Sequence, residues 1–456
     1  IREGRCTQEQ GVWGTLWPPV SLAVIGAVLE RDGHAVSIHD CPAEDMLCPA
    51  LADIVRADVP GLVIWSTGTP TIQSDLQLAR EIKAVCRDII TAVFGTHVTV
   101  LDQQCLGAFP DLDCIIRNEP EETARELAGA AQSGKNLQAV QGLTWRSSAG
   151  DIVSNPGRAF IDDLDSLPPP AWHLLDTSRY CLPLKGRPFL IVAPQRGCPF
   201  RCSFCTCRTY YGGRLRKRSV DSVLDEIERD MCEFGVRDFF IWSETFVVDK
   251  DYVTALCRAV LDRKLSISWT CNSRIDIVDA ELLVLMARAG CWMISFGIES
   301  AEQAILDGVE KGTKVAQAPQ AVRLAKQAGM KVAGHFILGL PGETEATMRK
   351  TLGLAGSLGL DVTQFYSAVP FPGSRLYDQA VQEGWVAPQD YSCFKQDRAV
   401  MELPSVSAVT VDAFRRRGAR QFFFNPLNWL RTARMLEWRG LAHLGATVLG
   451  FFSWRR

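Results

Sequence analysis

Four cysteines fall within ten residues of the stretch "APQRGCPFRCSFCTC", Ala193 to Cys207. Cys198, Cys202 and Cys205 are spaced C-x3-C-x2-C, and Cys207 follows as C-x-C. Three thiolates on one short loop can hold three irons of a four-iron, four-sulfur cluster and leave the fourth iron open to a substrate or cofactor. A structural zinc site also takes thiolates but closes its tetrahedron with two separated pairs, which four crowded cysteines fit poorly. Cys207 then reads as a pocket or packing cysteine.

The loop follows a strand-like run, "PFLIVAP", and the segments around it set its context. From Pro188 to Pro372 six apolar runs ("FLIVAP", "DFFIWSE", "SISWTCNSR", "WMISFGIES", "KVAGHFILG", "VTQFYSAVP") alternate with helical patterns, which predicts a partial (β/α)6 TIM barrel over residues 188–372. Chemistry in such a barrel belongs at the C-terminal ends of strands. Those ends and the following turns carry Glu244, Asn272, Arg274, Glu299, His335, Gln364 and Tyr366. Upstream, "VSLAVIGAVLERDG", "AVSIHD", "GLVIWSTG", "QLAREIKAVC" and "ITAVFGTH" repeat the alternation and predict a Rossmann-like, doubly wound domain over residues 1–142. Residues 143–187, with a small hairpin in "TWRSSAGDIVSNPGR" and a Pro-rich stretch, read as a linker. Residues 373–456 read as a small helical region.

With 49 basic against 52 acidic residues the chain lacks the electrostatic footprint of a nucleic-acid binder. The sixteen cysteines are scattered with no disulfide framework, which points to a reducing, cytoplasmic setting. The apolar run Leu441 to Trp454 is shorter than the roughly 20 residues a membrane-spanning helix needs, and it reads as a packed helix with membrane-surface contact as the lesser option. His34 and His39 read as surface or packing histidines.

The cysteine loop after the first barrel strand, with Phe204 just before the third cysteine, resembles the radical S-adenosylmethionine (SAM) superfamily. The resemblance implies that Cys198, Cys202 and Cys205 ligate a 4Fe-4S cluster. The open iron binds SAM, and reductive cleavage gives a 5'-deoxyadenosyl radical that abstracts hydrogen from a substrate. It further implies that Ser243 and Glu244 of "IWSETF", Glu299 of "SFGIES", and Ile337 and Gly339 of "GHFILGLPGET" contact SAM, together with Phe204, Asn272 and Arg274. An electron donor such as a flavodoxin or ferredoxin is implied as partner.

The N-terminal segments "WPPVSLAVIGAVLERDGHAVSIHD", "WSTGTPTIQSD", "FGTHVTV" and "RNEPEET" resemble the branch of that superfamily with a cobalamin-binding domain, which includes methyltransferases, hopanoid-modifying enzymes and diol dehydratases of aminoglycoside biosynthesis. Any nucleotide tail would be expected at the loops Ser66 to Thr69 and Gly95 to His97. No D-x-H-x-x-G segment offers a histidine to cobalt, and the polar opening "IREGRCTQEQG" stands where the branch has its first strand, so either the sequence begins late or that strand is lost. The missing first strand and the polar mouth lean the reading away from cobalamin and toward radical dehydration of a 1,2-diol on an aminosugar, a cationic, hydroxylated substrate that the carboxylates of the mouth would suit. Glu244, His335 and Tyr366 are then the catalytic candidates, an acid or His335 managing the proton of the departing water. Cobalamin-dependent methyl transfer to an unactivated carbon is the alternative, and an iron-sulfur electron carrier the remote one.

Overall fold

The computed structural model describes residues 16–134, 136–182, 185–387 and 390–437. The polar opening and the apolar run from Leu441 to Trp454 lie outside the described residues.

The N-terminal sheet has strands β1 Leu62–Ser66, β2 Ile90–Phe94, β3 Cys114–Ile116, β4 Leu143–Arg146 and β5 Ile152–Ser154, in that spatial order. The first three are parallel and the last two antiparallel. Successive side chains alternate faces, so both faces of the apolar strands need cover. Helices α1 Val20–Arg31 and α6 Glu121–Ser133 bury Ile25 and Leu127 against Phe94 and Ile116. On the opposite face, Leu76 of α3 (Ile72–Val85) and Leu106 of α5 (Asp102–Ala108) meet Val93 and Ile115. Helices α2 Cys48–Asp58 and α4 Thr96–Val100 complete the layers.

Two details differ from the sequence reading. "AVSIHD" forms no strand: Ile38 lies against Gly26 of α1 and Asp40 accepts a hydrogen bond from the Tyr180 hydroxyl at 2.8 Å, so local packing holds the segment without a sheet partner. The hairpin expected in the linker pairs with β3 and extends the sheet to Ser154.

The second sheet curls into a half-barrel of six parallel strands, β7 Arg187–Val192, β10 Asp238–Ile241, β11 Ser268–Arg274, β12 Cys291–Glu299, β13 Lys331–Leu338 and β14 Val362–Ser367, with the short β6 Cys181–Leu182 antiparallel on β7. A small ribbon, β8 Gln195–Arg196 with β9 Arg216–Lys217, flanks the cysteine loop and leads into α7 Cys207–Tyr211. Helices α8 Val220–Phe234, α9 Lys250–Asp262, α10 Ala280–Arg288, α11 Gln303–Gly308, α12 Gln317–Gln327 and α13 Glu345–Ser357 cover the outside. Side chains of Ser219, Asp249, Asp279 and Thr344 accept backbone N–H groups at the starts of α8, α9, α10 and α13, which fixes where each strand-end loop turns into helix. The helical continuation, α14 Arg375–Gln382, α15 Ala408–Phe423 and α16 Pro426–Ala433, sets Val411, Phe414 and Phe422 of α15 into the barrel core. Among the described residues no helix is long and apolar enough to cross a membrane.

The segment "RNEPEET" joins the two sheets. Arg196 pairs with Glu119 at 3.2 Å and Glu121 at 2.6 Å, Arg216 pairs with Glu119 at 2.8 Å, and Asn118 donates to the Thr209 carbonyl at 2.7 Å. All four charged side chains are buried or nearly so, and buried charges persist when paired and hydrogen-bonded.

Candidate active site

The cysteine loop is held by backbone bonds at both flanks. Ser203 N–H donates to the Val309 carbonyl and Leu376 N–H to the Ser203 carbonyl, each at 2.9 Å, while Cys198 N–H donates to Gly212. Cys198 lies 3.7 Å from the Thr245 hydroxyl, and Cys207 N–H donates to Cys205 Sγ at 3.4 Å. Among the described residues no three His, Cys, Asp or Glu side chains converge on a single ion. A four-iron cluster makes no such demand, because each thiolate binds a different iron.

The loop roofs a cavity of about 1960 Å³, counting the part open to solvent, in the mouth of the half-barrel. Cys198, Cys202, Phe204, Cys205, Ser243, Glu244, Asn272, Arg274, Glu299, His335, Ile337, Gln364 and Tyr366 all line it. The sheet explains this convergence: β13 pairs with β14 so that His335 faces Gln364 and Ile337 faces Tyr366, and the period of two sends each set to the inner face. Gly339 is not brought into the cavity. A Cβ there would meet Val411 of α15 at 2.9 Å, and its N–H donates to the buried Glu343 at 2.5 Å, so it sits under the C-terminal helix.

Two cations flank the cysteines. Arg274 stacks on Phe200 at 3.6 Å and grips Asp276 through Nε and Nη2 at 2.9 and 2.8 Å, while its buried Nη1 has no partner among the described residues. Lys311 Nζ bonds Glu299 Oε1 at 2.6 Å and lies 5.9 Å from the Phe204 ring. Glu299 adopts φ 66° at a register break between β12 and β13. Gly297 leaves room for the pair: a Cβ at that position would stand 2.6 Å from Glu299 Oε1 and 2.9 Å from Lys311 Nζ. Burial pushes the Cys202 thiol up, and Lys311 and Arg274 oppose that push. Across the cavity, His335 Nδ1 is 3.0 Å from the Tyr366 hydroxyl, which donates to Gln364.

A further cavity, about 1660 Å³ with its open part, lies between the domains. The strand-end loops Ser66 to Thr69 and Gly95 to His97 form one side, and Gln195, Arg196, Cys207, Tyr210 and Glu226 of the barrel form the other. Gly95 has φ 143°, and a Cβ would fall 2.3 Å from the Thr67 carbonyl oxygen, so glycine alone lets the two loops meet. Thr67 and Thr71 donate to Asp75 at 2.8 and 2.6 Å, and burial lowers His97 to about 4, leaving it neutral near Thr69. Trp17, Thr206, Trp242, Glu244 and Phe371 line both cavities.

Sequence reasoning missed several of these residues. Lys311 and Gln396, which also line the barrel cavity, follow no strand and belong to no motif. Glu226 lies inside a helix, where only its facing could have marked it.

Comparison with known proteins matches residues 192–355 to the radical SAM superfamily and residues 11–128 to the B12 binding domain. An uncharacterized methyltransferase of Pyrococcus horikoshii is 30% identical over 91% of this chain and 90% of its own length. The anaerobic magnesium-protoporphyrin IX monomethyl ester cyclase of Rubrivivax gelatinosus is 30% identical over 80% of this chain and 66% of its own. The radical SAM methyltransferase TsrM of Kitasatospora setae, solved with cobalamin and a [4Fe-4S] cluster bound, superposes with a TM-score of 0.71 at 19% identity, covering 81% of this chain and 76% of that one, a likeness of fold. The chain belongs to the radical SAM superfamily and carries a B12 binding domain ahead of the half-barrel. Membership brings a [4Fe-4S] cluster and SAM as cofactors. The B12-domain match corrects the lean away from cobalamin taken from the missing segments.

Proposed function

We propose that the protein is a cobalamin-dependent radical SAM methyltransferase acting on a carbon of a small molecule. The observation that carries this is the shared wall of Trp17, Thr206, Trp242, Glu244 and Phe371, which sets the interdomain cavity directly against the barrel cavity. The interdomain cavity fits a corrin: its walls include the apolar Val24, Leu164, Leu167, Pro168 and Pro170, its floor is the Gly95 approach, and two buried polar atoms there await partners. The P. horikoshii relative bears the name of an uncharacterized methyltransferase, and this moves the reading from dehydration to methyl transfer.

When bound, the cluster with SAM supplies a 5'-deoxyadenosyl radical and cobalamin supplies a transferable methyl group. Cys198, Cys202 and Cys205 hold the cluster. Arg274 Nη1 offers a donor to the SAM carboxylate, and Ser243, Glu244, Asn272, Glu299, Phe204 and Ile337 shape the rest of that site. His335, Tyr366 and Gln364 form a hydrogen-bonded chain that positions the substrate and can accept its proton. Glu299 is paired with Lys311, which weakens the case for a cationic aminosugar that rested on uncommitted carboxylates. Electron supply by a flavodoxin or ferredoxin is part of the proposal.

Anaerobic reconstitution with iron, sulfide, hydroxocobalamin and dithionite tests it. Stoichiometric cobalamin after gel filtration and label from methyl-labelled SAM in the product are expected; Cys202→Ala should lose the visible absorbance of the cluster while retaining cobalamin. A protein that binds no cobalamin, forms 5'-deoxyadenosine and yields a product lighter by one water would return the reading to dehydration.

A further inference from the structure

On the barrel side of the interdomain cavity, two buried polar atoms have no hydrogen-bond partner among the described residues: Nε2 of Gln195 and Oε1 of Glu226. Both residues are 1% exposed and both line the cavity. The Ser243 hydroxyl donates to Gln195 Oε1 at 2.9 Å, which leaves Nε2 as a donor. Arg218 Nη1 donates to Glu226 Oε2 at 2.6 Å, which leaves Oε1 as an acceptor. Arg218 also donates its backbone N–H to the Pro194 carbonyl, so one residue ties Glu226 to the strand that carries Gln195. Neither atom needs to be orphaned for the fold: an apolar side chain in each place would bury the same wall without an unmade bond, and unmade buried bonds are destabilising.

The ligand group that answers both atoms must present a carbonyl to Nε2 and an N–H to Oε1. A phosphate would bring like charge to the Glu226 carboxylate. An ammonium would face the Gln195 amide donor with another donor. Hydrocarbon would leave both bonds unmade. A primary carboxamide supplies acceptor and donor together, and a corrin ring carries such carboxamides around its rim. We propose that Gln195 and Glu226 recognise corrin carboxamides from the barrel side of the cavity, and thereby set the corrin's orientation toward the shared wall. This rests on the cobalamin reading above.

The test uses the full chain without its corrin and two probes: cobinamide, which keeps the carboxamides and lacks the nucleotide tail, and heptamethyl cobyrinate, the same ring with methyl esters. Dissociation constants come from the visible spectrum of the corrin. Wild type should prefer cobinamide. Glu226→Gln, which keeps a carbonyl for Arg218 and turns the open acceptor into an amide N–H, should weaken cobinamide about three- to tenfold, the scale of one lost hydrogen bond, and leave the ester, which has no N–H to offer, unchanged. Gln195→Leu removes the donor to a carbonyl that both probes carry and should weaken both; Gln195→Glu, which keeps the oxygen that accepts from Ser243 and loses the N–H donor, carries that comparison if the leucine variant melts before the wild type. Equal wild-type affinity for the two probes, an equal loss for both in Glu226→Gln, or no loss for either in the Gln195 variants overturns the assignment while hydroxocobalamin binding leaves the cofactor reading standing. Failure of wild type to bind hydroxocobalamin as well would bring down both.

Discussion

Removing the amine of Lys311 is the most direct probe of the barrel cavity. Lys311 and Glu299 are 2.6 Å apart and each side chain is 8% exposed. Burial alone pushes the lysine down, but the Glu299 carboxylate and the Cys202 side chain outweigh it and hold Lys311 above its ordinary pKa. In Lys311→Met the Glu299 carboxylate stays buried with its cation gone, a loss on the order of 3–5 kcal/mol. At roughly 2–4 °C per kcal/mol for a domain of this barrel's size, the melting temperature of the apo chain should fall by about 10 °C. Glu299→Gln/Lys311→Met should recover most of that fall, since both charges leave together, and a double-mutant cycle measured by circular dichroism reads the coupling. Lys311 is also the first of the charges that oppose the burial of the Cys202 thiol. Cluster loading of the single variant should therefore shift to higher pH, where the thiolate forms without its help. A single variant that melts within about 1 °C of wild type, as expected when an exposed ion pair is broken, would refute the reasoning.

Two other perturbations address separate parts of the molecule. Gly95→Ala should drive a Cβ to within 2.3 Å of the Thr67 carbonyl and open the loops of the B12 domain; hydroxocobalamin affinity should drop at least about tenfold while cluster absorbance is unchanged. Burial raises Glu343 to about 7 against the N–H groups of Gly339 and Leu340, which pull it down. Because its folded pKa is raised, the stabilisation is full below about pH 4.5 and is lost as pH rises through 7; the gap from the ordinary 4.5 to about 7 corresponds to roughly 3 kcal/mol. Glu343→Gln keeps a carbonyl for both N–H groups and removes the charge, so urea unfolding should show the variant more stable than wild type at pH 8. Its decline between pH 5 and 8 should also be shallower, though not absent, because burial holds Asp230 at about 7 as well. Identical slopes for variant and wild type would place the pH dependence elsewhere.

Much of the site was legible because its rules are local. The spacing of Cys198, Cys202 and Cys205 is a property of one loop, and the alternation of strand and helix put Ser243, Glu244, Glu299, His335 and Tyr366 at the strand-end mouth of the barrel. Gly339 shows the limit of that rule: it ends a strand as expected, yet α15 covers it. "AVSIHD" shows another, since an apolar run becomes a strand only where a neighbouring strand offers its edge, and here α1 and Tyr180 take the segment instead.

The sequence by itself determined the cluster loop, the two α/β units and the strand ends that carry the polar residues of the barrel, because periodicity and short spacings depend on residues adjacent in the chain. Only the tertiary structure decided that Lys311 neutralises Glu299, that Glu119 and Glu121 reach 77 and 75 residues along the chain to Arg196, and that Gln195 and Glu226 share one cavity. It also decided that Cys207 lines the interdomain cavity while Cys205, two residues earlier, lines the barrel. Such pairings follow from which elements pack together and how far charges are withdrawn from water, and no local pattern records either.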